Sequence, residues 1–288
     1  MYIEYLRKLE KMSNLETLKK HNFNFNKAFG QNFIFDSNLL EKIVDDAGVD
    51  ESTTVLEIGC GAGTLTKHIA KRVKRVVGYE IDANLRPVLA ENLVDCPNVE
   101  INFADVMKVS TKEIEEKLND EYVIVANLPY YITTPIIFKF LQEAKRLKRL
   151  VIMVQLEVAE RLCAKENTSE YGTITVAIDS VANAKIMRIV KKNMFTPQPK
   201  IDSAIVRIDF EEKYKITDTE ILNKLIRGAF QNRRKTLSNN LKATFALNST
   251  QISEIFEKLN ISETVRGESL STMQFVEMSN ILAEKLKK

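Results

Sequence analysis

The 288-residue sequence is 44% hydrophobic and 28% charged, and its 42 Lys and Arg nearly balance its 39 Asp and Glu. This composition is typical of a globular protein, and no apolar run approaches the roughly 20 residues that a membrane-spanning helix needs. Three cysteines, Cys60, Cys96 and Cys163, are too few and too far apart for a disulfide framework or a zinc cluster, which favours a reducing, cytoplasmic location. With only two histidines, nucleophile–histidine catalysis is disfavoured as well.

Hydrophobic periodicity predicts alternating strands and helices along the first two thirds of the chain. A helix is expected to begin after Asp36 or Ser37 and to run through LLEKIVDDAGV. Five strands are expected in the segments TTVLEI, RVVGYEID, VEINFADV, YVIVANLP and RLVIMVQL. Because helical stretches separate most of these strands, the predicted fold class is α/β, with a Rossmann-like, mostly parallel, doubly wound sheet. The segments AKIMRIV and SAIVRIDF are expected to extend one edge of that sheet.

Strand signals end near residue 211. The sequence therefore predicts three regions, which are an N-terminal extension over 1–26, an α/β domain over 27–210 and a small all-α domain over 211–288. Within the last region, LNKLIRGAFQNRRKTLSNNLKATF is interpreted as one helix. Its apolar face would carry Ile226, Phe230, Leu237, Leu241 and Phe245.

Charge is spread unevenly along the chain. Between Lys185 and Lys242 there are fourteen Lys and Arg against six Asp and Glu, a local surplus of eight positive charges. Such a surplus indicates either a surface that faces a polyanion or an ordinary solvated basic surface.

The first chemical signal is the segment VLEIGCGAGTLT, in which Gly59, Gly61 and Gly63 lie between a predicted strand and a predicted helix. Glycine allows a sharp turn and a close approach of the backbone to a ligand, next to the N–H groups of the helix. A simple strand-to-helix turn is the alternative, since threonine replaces the third glycine of the dinucleotide fingerprint. Glu80 and Asp105 each end a later strand, and acids at the same sheet edge as the glycine loop favour a nucleotide-like ligand.

The second signal is the segment NLPY, at which the predicted strand YVIVA ends. Pro129 cannot continue the pairing of that strand, so the chain must turn there. Asn127, Leu128 and Tyr130 would then lie at the same sheet edge as the glycine loop. The segment is either a plain exit from a strand or part of a binding site.

Together these segments resemble the class I S-adenosylmethionine-dependent methyltransferases. GCGAG, with Gly59, Gly61 and Gly63, is similar to their cofactor loop. Glu80 and Asp105 resemble the acids that hold the ribose and the adenine of the cofactor. The resemblance implies S-adenosyl-L-methionine as the cofactor and no metal, because the reaction rests on aligning an amine with the methyl group.

NLPY resembles the Asn/Asp-Pro-Pro-Tyr motif of enzymes that methylate exocyclic amino groups. This likeness implies that the Asn127 amide oxygen and the Leu128 carbonyl accept hydrogen bonds from adenine N6. It also implies that Pro129 fixes the turn and that Tyr130 stacks on the extruded base.

Four further segments resemble the ribosomal RNA adenine N6,N6-dimethyltransferases, and with the loops above they cover most of residues 27–245. They are FGQNFIFD at 29–36, QLEVAERLCAKENTSEYG at 155–172, FTPQPKIDSAIVRI at 195–208 and FQNRRKTLSNNL at 230–241. The resemblance implies that Asn32, Ile34 and Asn127 contribute to the cofactor pocket. It further implies that Phe195 stacks on the target adenine opposite Tyr130. On the predicted basic helix, rRNA phosphates would meet Arg233, Arg234 and Lys235.

This family has a housekeeping branch, which the NLPY, EVAERL and RRKTL segments resemble. The resemblance implies transfer of methyl groups to N6 of two adjacent adenines near the 3′ end of small-subunit (16S) rRNA, by a cytoplasmic monomer acting on an immature ribosomal particle. Alternatives are the resistance branch, which methylates large-subunit rRNA, a DNA adenine methyltransferase, and a mainly non-catalytic RNA-binding assembly factor. Three departures from the family pattern are Cys60, where proline is frequent, Ala28, where arginine is common, and the 26 residues before Lys27, which exceed the usual N-terminal lead.

Overall fold

The structure is a computed structural model that describes residues 15–25 and 29–286. Most of the predicted N-terminal extension, and also Ala28, lies outside the described residues, whereas residues 15–20 are helical. Within those two described stretches, no helix is long and apolar enough to cross a bilayer.

Nine strands and eleven α-helices with complete bounds can be assigned in the described part of the chain. The strands are β1 (Phe33–Ile34), β2 (Thr54–Ile58), β3 (Arg75–Glu80), β4 (Val99–Phe103), β5 (Tyr122–Asn127), β6 (Leu147–Gln155), β7 (Ala182–Val190), β8 (Phe195–Thr196) and β9 (Ser203–Phe210). The helices are α1 (Ser37–Ala47), α2 (Thr64–Ala70), α3 (Arg86–Asn92), α4 (Thr111–Leu118), α5 (Thr133–Glu143), α6 (Leu156–Leu162), α7 (Thr173–Asp179), α8 (Thr219–Gln231), α9 (Leu237–Phe245), α10 (Ser249–Lys258) and α11 (Thr272–Leu286).

Seven strands form one sheet in the order β4-β3-β2-β5-β6-β9-β7. The strands from β4 to β6 run parallel, as strands joined by helical crossovers must, and β9 is antiparallel to β6. This arrangement confirms the predicted Rossmann-like α/β sheet with its two added edge strands. After β2, the strands β3 and β4 are added toward one edge of the sheet, whereas after β5 the strand β6 is added toward the other edge. Ligands of such sheets bind beyond the carboxyl ends of the strands, at the point where the strand order reverses.

Local sequence signals explain why the elements around this edge begin and end where they do. Asp36 is the N-cap of α1, where its Oδ1 accepts a hydrogen bond from the N–H of Leu39 across 2.8 Å. The helix ends at Gly48, which takes the left-handed conformation that glycine adopts without strain. Both β2 and the first five residues of β5 are buried, as expected of central parallel strands.

The chain divides into two compact units. The α/β unit contains the described residues up to Ala159 together with Lys185–Asp209, and the helical unit contains Glu160–Ala184 and the described residues from Phe210 onward. This division differs from the predicted single boundary at 210/211. Residues 160–184 group with the C-terminal helices because Tyr171 is part of their buried apolar core.

The prediction of one long helix in the basic region is wrong, because α8 and α9 are separate helices. Asn232 leaves the helical conformation with φ −130° and ψ 81°, and Thr236 then caps α9 by accepting from the N–H of Asn239. The apolar residues assigned to one face still meet in the core of the helical unit. Four of them are buried there, and Phe230 packs against them.

Candidate active site

The glycine loop connects β2 to α2 at the centre of the sheet edge. Gly59, Gly61 and Gly63 all have positive φ angles, at 78°, 56° and 80°. A Cβ atom at Gly61 would lie only 2.6 Å from the Phe33 ring, so a side chain does not fit there without displacing that ring. The N–H of Gly61 donates to Oε2 of Glu80 across 2.8 Å, which ties the loop to the end of β3.

A cavity lies beside this loop. Its lining brings together most of the residues predicted to contact the cofactor and the base, namely Asn32, Ile34, Gly59, Gly61, Glu80, Asn127, Leu128, Pro129 and Tyr130. Gly63 instead lies at the start of α2 as its N-cap, and Asp105 lines a neighbouring cavity. The two sequence signals, GCGAG and NLPY, therefore belong to one site.

The Glu80 carboxylate is buried, with 5% of the residue exposed, and it is held by two backbone donors. Oε2 accepts from the N–H of Gly61, and Oε1 accepts from the N–H of Asp82 across 2.9 Å. Burial raises the pKa of Glu80, and these two hydrogen bonds counteract the rise in part. Each oxygen keeps a further lone pair that can accept from a hydroxyl group in the cavity.

Asp105 lines a second, smaller cavity. Gly59, Ile81 and Pro129 line both cavities, so the two spaces adjoin. The Asp105 Oδ1 accepts from the N–H of Met107 across 3.0 Å, which fixes the carboxylate at the end of this cavity. The remaining walls are mostly apolar, as a flat aromatic ring requires.

The Asn127 amide is oriented by a backbone carbonyl. Its Nδ2 donates to the carbonyl oxygen of Asn32 across 2.8 Å, and the Asn32 side chain in turn donates to the carbonyl of Gly30. With the nitrogen used in this way, Oδ1 is the atom left to accept a hydrogen bond in the cavity. Asn32, predicted as a cofactor residue, thus also positions the residue predicted to hold the adenine.

The turn after Asn127 is held in place by the Pro129 carbonyl, which accepts from the N–H of Ile132 and from Oγ1 of Thr133. The Tyr130 ring is half-buried, and its hydroxyl forms a 2.8 Å hydrogen bond with Oγ of Ser203. NLPY is therefore a fixed wall of the cavity.

Phe195 is buried in this structure. It is 4% exposed and belongs to a buried apolar cluster that includes Ile34, its pairing partner between β8 and β1. Because Ile34 lines the cavity, Phe195 supports that wall from behind. In this conformation its ring does not offer a face to the cavity, so the stacking role stays a prediction.

Glu57 is a site residue that sequence reasoning missed. It lines the cavity at 1% exposure, and neither of its carboxylate oxygens has a hydrogen-bond partner within the described residues. Burial raises the pKa of Glu57 to about 8, the nearby Thr66 hydroxyl offsets part of this rise, and the Glu80 charge adds to it. An unpaired buried carboxylate fits a cationic ligand, and S-adenosylmethionine carries both an ammonium and a sulfonium group. The available signal was an acid inside the otherwise apolar strand TVLEI.

The three basic residues predicted to meet phosphates lie between α8 and α9, not on a helix face. Arg233 donates to the carbonyls of Ser169 and Tyr171 across 2.8 and 2.9 Å. The Arg233 guanidinium therefore stabilises the helical unit through these hydrogen bonds. Arg234 and Lys235 are exposed and belong to no ion pair in the described part of the chain.

Comparison with known proteins extends the match to nearly the whole chain. The sequence model of the ribosomal RNA adenine dimethylase family matches residues 22–284. The chain is 41% identical to the ribosomal RNA small subunit methyltransferase A of Clostridioides difficile, over 94% of this chain and 95% of that protein. It is 43% identical to the protein of the same name from Bacillus pumilus, over 94% of this chain and 96% of the relative.

Solved structures agree with this result. A dimethyladenosine transferase from Plasmodium falciparum superposes with a TM-score of 0.76 at 27% identity, covering 86% of this chain and 96% of that one. The 23S rRNA methyltransferase ErmE superposes with a TM-score of 0.68 at 24% identity, covering 88% and 100%, which shows the same fold. With a family match of this extent, and with a cavity that suits a cationic nucleoside beside an amide poised to accept from an amine, the chain belongs to the ribosomal RNA adenine dimethylase family of S-adenosylmethionine-dependent enzymes.

Proposed function

We propose that the protein dimethylates N6 of two adjacent adenines near the 3′ end of small-subunit rRNA, in an immature ribosomal particle. The relatives from Clostridioides difficile and Bacillus pumilus are named as small subunit methyltransferases, which supports this choice of substrate. The observation that carries the proposal is the fixed Asn127 amide. Its nitrogen is used by the Asn32 carbonyl, and its oxygen is left to accept from an adenine amino group.

Adenine N6 is a weak nucleophile because its lone pair is delocalised into the ring. Hydrogen bonds from the amine to the Asn127 Oδ1 and the Leu128 carbonyl would turn that lone pair out of the ring plane. A monomethylated amine keeps one N–H, so one of the two acceptors suffices to orient it for the second transfer. The half-buried Tyr130 offers a face on which an extruded base can stack.

When bound, S-adenosylmethionine supplies an electrophilic methyl group. Glu57 would face the cationic part of the cofactor, because it is the acid of the main cavity that lacks a partner in the described chain. Glu80 would accept from the ribose hydroxyls, and Asp105 would accept from the adenine amino group in the smaller cavity. Ile81 and Tyr131, which line that cavity and are 40% and 58% exposed, would cover the adenine ring.

The helical unit would bind rRNA phosphates through the exposed Arg234 and Lys235, whereas Arg233 would hold the segment that carries them. A surplus of positive charge between Lys185 and Lys242 supports a polyanionic partner. The protein would act as a cytoplasmic monomer, reading RNA shape and backbone over most of the contact and only the flipped adenine in detail.

Mapping of the modified nucleotides tests the substrate. The protein is incubated with S-adenosylmethionine and either immature small subunits or large subunits, and N6,N6-dimethyladenosine is then located in the rRNA. We expect dimethylation of two adjacent adenines near the 3′ end of the small-subunit rRNA alone. Modification confined to large-subunit rRNA, or binding to the particle without any modification, would contradict the proposal.

A further inference from the structure

The hydroxyl of Tyr130 is bound by a serine from a distant part of the chain. Ser203 is the first residue of β9, where it pairs with Gln155 of β6, and it is 0% exposed. Its Oγ lies 2.8 Å from the Tyr130 hydroxyl oxygen. The two hydroxyls join the end of the antiparallel β6–β9 pair to the turn that ends β5.

Ser203 is the last residue of the segment FTPQPKIDS, and Phe195 is its first residue. At that first residue, Phe195 pairs with Ile34 and supports a wall of the main cavity. At the last residue, Ser203 holds Tyr130, which lines the same cavity. The segment therefore contacts the cavity wall at both ends, and each end contributes through another residue.

We propose that Ser203 is a positioning residue that fixes the plane of the Tyr130 ring for stacking on the target adenine. The turn fixes the backbone end of this side chain through the Pro129 carbonyl, and the serine fixes its hydroxyl end. A ring held at both ends loses little freedom when a base stacks on it, so the flipped base is held in line more of the time. The inference rests on the proposed stacking role of Tyr130.

Removal of the Ser203 hydroxyl tests the proposal. For Ser203→Ala we expect the single-turnover rate of methyl transfer, at saturating cofactor and ribosomal particle, to fall about fivefold, as the loss of one hydrogen bond implies. Tyr130→Phe removes the same hydrogen bond from the other side and should give a similar decrease. The double variant should be no slower than either single variant, because both lose one shared interaction. Cofactor affinity, measured by calorimetry, should not change.

A matched control is Ser279→Ala in α11. Ser279 is also a buried serine, at 1% exposure, and its hydroxyl donates to the carbonyl of Val276 across 2.8 Å. The chemical change is the same, and Ser279 lies in the helical unit rather than in the unit that contains the cavity. We expect this variant to lose some stability and to keep the wild-type rate of methyl transfer.

Tyr130→Ala separates failure of the inference from failure of the proposed stacking. If Tyr130→Ala reduces the rate at least tenfold while Ser203→Ala and Tyr130→Phe leave it unchanged, the stacking role stands and the inference is overturned. If Tyr130→Ala itself leaves the rate unchanged, both are overturned. Should Ser203→Ala fail to fold, the comparison of Tyr130→Phe with Tyr130→Ala decides, since Tyr130→Phe keeps the ring and the serine. Additive losses in the double variant also contradict a shared interaction.

Discussion

The two units of the molecule differ in whether their buried polar side chains have hydrogen-bond partners. In the α/β unit, neither carboxylate oxygen of Glu57 has a hydrogen-bond partner among the described residues, and the nearby Thr66 hydroxyl offsets only part of the effect of burial on its pKa. In the helical unit, the buried side chains of Tyr171 and Asn240 donate to main-chain carbonyls. An unpaired buried polar group costs free energy that a paired one does not. The comparison teaches that the α/β unit leaves the Glu57 carboxylate beside the cavity available to a ligand, whereas Tyr171 and Asn240 in the helical unit are satisfied by the protein itself.

The largest effect is expected at the amide of the α/β unit that we assign to the substrate. Asn127→Ala should reduce the rate of methyl transfer by about 10²–10³-fold, the cost of removing one preorganised hydrogen-bonding group from an active site. The affinity for cofactor should change far less. Single-turnover kinetics and calorimetry measure the two quantities, and a near wild-type rate would rule out the role of the amide.

Asn98→Ala is the control for that substitution. The Asn98 Nδ2 donates to the carbonyls of Ala70 and Val73, both across 2.9 Å, so this amide is satisfied within the protein. We expect the variant to lose about 1–3 kcal/mol of unfolding free energy and to keep its rate of transfer.

The next effect concerns the unpaired acid. Glu57→Gln should weaken cofactor binding by roughly 10- to 100-fold, as the loss of a charged hydrogen-bonding partner predicts. Because the pKa of Glu57 in the free protein is about 8, the affinity of the wild type should increase as the pH rises from 6 toward 8. The glutamine that replaces Glu57 does not titrate, so the affinity of the variant should not increase over this range. Calorimetry between pH 6 and pH 9 distinguishes the two profiles.

With rising pH, the unfolding free energy of the cofactor-free protein should change in the opposite direction from the cofactor affinity. Glu57 binds its proton more tightly in the folded protein than in the unfolded chain, where the pKa is near 4.5. The cofactor-free wild type should therefore lose stability as the pH rises from about 4.5 to about 8. Glu57→Gln removes this contribution, and its unfolding free energy should exceed that of the wild type at pH 8. A variant that is less stable than the wild type at pH 8 would contradict the unpaired state of the carboxylate.

On the helical unit, the expected effects are smaller and confined to the surface. Replacement of Arg234 and Lys235 by Ala should weaken binding to the ribosomal particle and lower its salt dependence by up to about 2 in slope, one for each lost phosphate contact. Stability and cofactor affinity should not change, since both side chains are exposed. Titrations at several salt concentrations measure the slope, and an unchanged slope would assign these residues to an ordinary solvated surface.

Arg233→Ala should give the smallest effect of these substitutions, and it contrasts with the replacement of Arg234 and Lys235. It removes hydrogen bonds to two main-chain carbonyls and an ion pair with Glu268, at a site where 44% of the arginine side chain is exposed. We expect a loss of about 1 kcal/mol in unfolding free energy, because solvent already screens much of this interaction. Arg233 itself should not contribute to the salt dependence of binding to the ribosomal particle. A thermal unfolding curve that matches the wild type would show that Arg233 is not structural.

Much of the fold follows from local patterns. The period of the apolar residues separates strands from helices, and Asp36 and Gly48 set the ends of α1. The break between α8 and α9 was missed because the apolar period continues through it. Only the capping role of Thr236 and the non-helical angles of Asn232 reveal the two helices.

The sequence predicts site residues that lie at strand ends. It predicts less well the contacts between residues that are far apart along the chain. The glycine loop, Glu80 and NLPY come together as the parallel sheet requires. The contact between Tyr130 and Ser203 joins residues 73 positions apart, and no local pattern signals it. Phe195, which is predicted to stack on a base, pairs with Ile34 and lies in a buried apolar cluster, a placement that depends on tertiary packing.

The contact of Phe33 with Gly61 couples the cofactor loop to the N-terminal part of the chain. The Phe33 ring packs against Phe23 and Phe25, and it occupies the place that a Cβ at residue 61 would need. Phe33 is also a residue of β1, where it pairs with Thr196 of β8. A single added methyl group at Gly61 would therefore push on an aromatic cluster and on a strand pair at once. A side chain at residue 61 is therefore excluded by the protein's own packing, before any ligand is considered.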